Sequence, residues 1–60
     1  MIYYATTMDA RIALLNSGVY EWFDFKYNEN GNSEFENEVV EWLWLNDASP
    51  EQAAAHFGVE

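Results

Sequence analysis

Sixty residues carry eleven acids against Arg11 and Lys26 alone, a formal charge of −9, while half of the residues are apolar and none is cysteine. That combination excludes a disulfide framework, a Cys-based zinc site and the Lys/Arg footprint that direct phosphate binding needs. Four tyrosines, four phenylalanines and three tryptophans are too many for a disordered acidic tail, so one small folded domain over 1–60 is expected.

In chain order, residues 1–5 (MIYYA) have the composition of a short edge strand. Thr6 or Thr7 then offers an N-cap and Asp9 a first-turn acid. Met8, Ile12, Leu14 and Leu15 supply the apolar positions of a helix near 7–17 that Gly18 closes as C′. Arg11 on this helix reads as an ordinary surface ion-pairing residue. VYEWFDFKY, residues 19–27, alternates, with Val19, Phe23, Phe25 and Tyr27 on one side and Tyr20, Trp22, Asp24 and Lys26 on the other. The alternation predicts a strand with an aromatic face, and Glu21 marks its entry or a bulge. A strand or hairpin element is therefore expected near 19–28, since Asn30-Gly31 suits the two positive-φ positions of a type I′ turn.

NSEFENEVVEWLWLND, residues 32–47, holds the densest apolar and the densest acidic cluster of the chain. Ser33 followed three residues later by Glu36 is a capping-box signature. At ~100° per residue, Phe35, Val39, Trp42 and Leu43 share one stripe and Glu34, Glu38 and Glu41 the opposite one, with Trp44 and Leu45 at the acidic edge. EVVEWLWL is β-compatible by composition; the cap and the spacing favour a helix over 34–46. Ser49-Pro50-Glu51-Gln52 starts a third helix, over 50–57, ended by Gly58. The expected fold class is α+β: three short helices with strand elements near 19–28 and 1–5.

Catalytic constellations are absent. With no cysteine, a nucleophile and base would have to recruit His56, the one histidine, which reads as a helix C-terminal residue. Asn28, Asn30 and Gly31 imitate part of a calcium loop, but Lys26 and Asn37 stand where its first and twelfth ligands belong. No enzyme activity, metal or cofactor is expected. No segment resembles a signal peptide or a membrane span, so a soluble intracellular protein is expected.

SPEQAAAHFGVE resembles the first helix and turn of a helix-turn-helix motif, with Ala54 and Gly58 four apart as that motif's small residue and turn glycine, and Val59 after them. No recognition helix follows and nothing basic is present to meet phosphates, so no DNA-binding function comes with it. The size, the charge and the acidic row of Glu34, Glu38 and Glu41 resemble phage-encoded inhibitors of host nucleic-acid machinery, of the anti-CRISPR or anti-restriction type. That resemblance implies a DNA mimic in a bacterial cytoplasm that binds a basic DNA- or RNA-binding protein complex and blocks DNA access, touching neither nucleic acid nor membrane. Glu34, Glu38 and Glu41 would form its charge row, Glu29, Glu36 and Asp47 its flanking acids, and Trp44 and Leu45 its apolar anchors. The alternative is a protein interaction or oligomerisation module in which Trp22 or Trp44 packs across a self-complementary interface.

Overall fold

A hydroxyl side chain opens each of the three α-helices. In the computed structural model, which describes residues 2–59, α1 spans Thr7–Asn16, α2 Glu34–Asn46 and α3 Pro50–Phe57, with a 3-10 turn at Tyr20–Phe23. Thr6 Oγ1 accepts from the Asp9 N–H at 3.3 Å, and Ser33 Oγ from the Glu36 N–H at 3.2 Å. Ser49 Oγ accepts from the Gln52 N–H at 3.2 Å while Gln52 Oε1 accepts from the Ser49 N–H at 2.8 Å, so α3 has a complete capping box. Each cap satisfies first-turn donors that would otherwise be orphaned. Gly58 ends α3 in the left-handed region at φ 69°, and Asp47 ends α2 there at φ 49° without glycine's freedom. At the end of α1, Ser17 turns extended and its hydroxyl donates to the Leu14 carbonyl at 2.7 Å, so the stop does not rest on a left-handed Gly18.

The fold is all-helical, which corrects the α+β expectation: no strand forms among the described residues. The alternating segment 19–27 winds into the 3-10 turn, reverses at Asp24 (φ 50°, ψ 53°) and folds the rings of Phe23 and Phe25 inward, leaving Trp22 and Tyr27 exposed. Phe23 and Phe25 stack at 5.2 Å and 4°, and Phe23 meets Phe35 and Phe57 at 6.0 and 6.4 Å. A lone strand would leave its backbone ladder unpaired, whereas these rings bury large areas against α2 and α3. Tyr20 also turns inward, although strand alternation puts it on the opposite face from Phe23 and Phe25.

At the Asn-Gly pair only Gly31 is left-handed, at φ 78°. The Gly31 N–H donates to the Asn28 carbonyl at 3.0 Å and the Asn28 N–H to the Asn32 carbonyl at 2.9 Å. This is a type I turn closed by a left-handed glycine, not the type I′ turn expected, and no ladder continues from it. The strand expected at 1–5 does not form: its described residues have no regular structure and bend at Ala5; Met1 lies outside them. Tyr4 anchors it by donating its buried hydroxyl to the Ala48 carbonyl at 2.6 Å.

Ala10 and Leu14 of α1, Val39, Val40 and Leu43 of α2, Ala53 and Ala54 of α3, and Phe23 make the core. Tyr4 ties the start of α1 to the residue after α2, and Arg11 Nη2 donates to Asn37 Oδ1 at 2.9 Å near the start of α2, so α1 and α2 run antiparallel. Leu14 and Leu43 are fully buried, each contributing roughly 1.5–3 kcal/mol of apolar burial. Met8, Ile12 and Leu15, read as core from sequence, are instead 59%, 48% and 50% exposed. A ten-residue helix with apolar side chains on both faces has two candidate stripes, and the one carrying small Ala10 allows the close approach to α2.

Candidate protein-binding surface

Because Ser33 sets where α2 begins, it also sets which side chains share a face. Glu34, Glu38, Glu41 and Leu45 lie within about 60° of one another at ~100° per residue, opposite Leu43, which is completely buried. All three glutamates are exposed, and Leu45 at the end of the row is 65% exposed. With Asn37 and Trp42 they line an open groove of about 470 Å³ on the outer side of α2. Trp42 belongs half to the core: its ring stacks on His56 at 4.4 Å and 16°, and edge-on to Phe57 at 5.8 Å. Sequence periodicity assigned Trp42 to the buried stripe alone; its position four residues after Glu38, about 40° around the helix, was the signal that one edge would reach the acidic face.

The remaining expected residues separate. Trp44 is 39% exposed but does not line the groove, and Glu29 sits on the Asn28–Asn32 turn. Asp47 is half-buried at the end of α2, lining a different hollow with Ile2, Ser49 and Gln52. Glu36 is a correction: expected among the flanking acids, it is 6% exposed and turned inward. Its carboxylate pairs with Arg11 at 3.3 Å and lies within hydrogen-bond distance of the Tyr27 and Tyr20 hydroxyls, at 3.0 and 3.2 Å. This is also why α2 lacks the reciprocal half of its capping box. Arg11 is corrected with it: not a plain surface residue, it neutralises a buried carboxylate and is the one ion-pairing cation among the described residues. Among the described residues no cation is paired to the glutamate row.

The Tyr20 and Tyr27 hydroxyls lie 2.5 Å apart. The Tyr27 phenol is pushed well above its ordinary value of 10.0, first by its hydrogen bond to Tyr20, then by burial and by Glu36. Tyr4 is raised too, mainly by burial, with Glu51 and Asp47 adding to it. Both shifts raise the folded-state value above the unfolded one, so their stabilisation is intact below about pH 10 and is lost as pH rises beyond it. An alkaline titration followed by tyrosinate absorbance and circular dichroism should show Tyr4 and Tyr27 ionising only with unfolding. Ionisation of Tyr4 and Tyr27 before any loss of helix would refute the hydroxyl network.

The row can meet cationic side chains; among the described residues no group of three His, Cys, Asp or Glu is placed to hold a metal, and no helix is long and apolar enough to cross a membrane. Comparison with protein-family models, curated proteins and solved structures gives no match.

Proposed function

We propose that this chain is an inhibitor that offers the acidic face of α2 to the basic nucleic-acid-binding surface of a larger bacterial protein complex, standing in for DNA as anti-restriction and anti-CRISPR proteins do. The observation that carries the reading is the row itself: Glu34, Glu38 and Glu41 are exposed on one face of a capped helix, with no ion pair to them among the described residues. Their axial steps are about 6 and 4.5 Å at 1.5 Å per residue, a spacing that lets successive Lys or Arg side chains engage them in register. A net charge of −9 adds long-range steering toward a basic target. Leu45, at the end of the row, supplies an apolar contact that phosphates do not.

The test uses the immobilised chain to capture proteins from bacterial lysate, beside a variant with Glu34, Glu38 and Glu41 all changed to Gln. The parent should retain a nucleic-acid-binding complex at low salt and release it at high salt, because the pairing is screened. The variant keeps side-chain volume and helix propensity, so its melting temperature should hold or rise while capture is lost, chiefly through a slower association rate. A variant that captures and inhibits as well as the parent at low salt sinks the reading.

A further inference from the structure

Six asparagines stand in the chain, and Asn30 is the one followed by glycine. Four of the others have their side-chain amides engaged: Asn28 Nδ2 donates to Asn32 Oδ1 at 3.0 Å, Asn37 Oδ1 accepts from Arg11 at 2.9 Å, and Asn46 Nδ2 donates to the Trp42 carbonyl at 2.9 Å. The fifth, Asn16, ends α1 and precedes Ser17, whose N–H is held by the Leu14 carbonyl. Asn30 is exposed, and among the described residues its side chain has no hydrogen bond. We infer that Asn30 is a self-modification site at which the Asn30-Gly31 link deamidates to aspartate and isoaspartate, with water and hydroxide as the co-reactants.

The Gly31 backbone nitrogen gives up its proton to hydroxide and attacks Asn30 Cγ. The new N–Cγ bond closes a cyclic imide as Cγ–Nδ2 breaks, and ammonia leaves with a proton from water. Water then opens the ring at Cγ, giving aspartate, or at the Asn30 carbonyl carbon, giving isoaspartate with the main chain routed through Cγ. Glycine suits the attacking position because it has no Cβ to crowd the approach, and the space where a Cβ would stand is open. The native turn restrains the step: the Gly31 N–H donates to the Asn28 carbonyl at 3.0 Å, and Asn28 Oδ1 accepts from the Asn30 N–H at 2.9 Å. The nitrogen is therefore free to attack only when the turn opens. That opening is local, since residues 28–32 are all exposed and none of them belongs to the core. Either product adds a carboxylate to a chain already at −9, and isoaspartate lengthens the main chain by a methylene in the turn that leads into Ser33, the cap of α2. The inference does not depend on what binds the acidic row.

The test ages the full chain in mildly alkaline buffer, with and without urea, and maps the products by peptide mass spectrometry, with electron-based fragmentation separating aspartate from isoaspartate. Asn30 should convert before any other asparagine, and faster in urea, where nothing holds the Gly31 N–H. Asn28→Ala removes the oxygen that holds the Asn30 N–H and should accelerate conversion of the folded chain by roughly two- to tenfold, the effect of one lost hydrogen bond on an opening equilibrium. If that variant fails to fold, Gly31→Ala carries the test in urea, where the strain of its φ of 78° plays no part, and should lose most of the conversion. A folded parent whose Asn30 stays intact while the same chain converts in urea overturns the inference, as does earlier conversion at Asn16 or Asn46. An Asn28→Ala rate equal to the parent's overturns the gating by the turn.

Discussion

Val39→Pro is expected to abolish the helical circular dichroism of the whole chain at room temperature. Val39 sits in the middle of α2 with no exposed surface, between the acidic face and the core. Proline there removes one i→i−4 hydrogen bond and drives its ring into the preceding turn, a cost of ~3 kcal/mol or more. The position also faces the core, so any kink that relieves the clash pulls Val40 and Leu43 away from Leu14 and the alanines of α3. Against a total stability of roughly 3–9 kcal/mol for a chain of this size, little of the native population survives. A cooperative melt within a few degrees of the parent would mean that α2 does not organise the fold, and the acidic row would lose its scaffold with it.

Arg11→Met should be the most destabilising single change in the polar network. Removing the guanidinium leaves the Glu36 carboxylate buried with only tyrosine hydroxyls for partners. Breaking a fully buried pair costs about 3–5 kcal/mol, and because the Arg11 side chain keeps 30% exposure the expected loss is nearer about 1–3 kcal/mol. Glu36→Leu should cost less, since the partly exposed guanidinium can turn to water while the buried carboxylate cannot. Combining Arg11→Met with Glu36→Leu should recover part of the loss, because no charge is then stranded. Urea denaturation of the four chains measures this, and a double variant as unstable as the sum of the singles would show that the pair acts through packing rather than charge.

The partial legibility of α1 follows from its sequence. Thr6 and Asp9 mark its start as reliably as Ser33 and Ser49 mark theirs, because a cap is a contact between residues three apart and is written in adjacent positions. Its buried face is another matter: Met8, Ile12 and Leu15 form as regular a stripe as Ala10 and Leu14, and which one turns inward depends on how closely α2 can approach. The aromatic segment shows the same division. Alternation in VYEWFDFKY is a local fact compatible with a strand, but a strand needs a neighbour, and no other segment supplied one. Phe35 and Phe57, distant in sequence, gave the rings of Phe23 and Phe25 a better place.

On α2 the helix and the outward row of Glu34, Glu38 and Glu41 are legible in the order of residues alone, since capping and a 3.6-residue period act along one element. Composition does not distinguish Glu36 from its acidic neighbours. That Glu36 turns inward is settled by long-range contacts, because the groups that make its burial tolerable, Arg11, Tyr20 and Tyr27, come from three other places in the chain and meet only after folding.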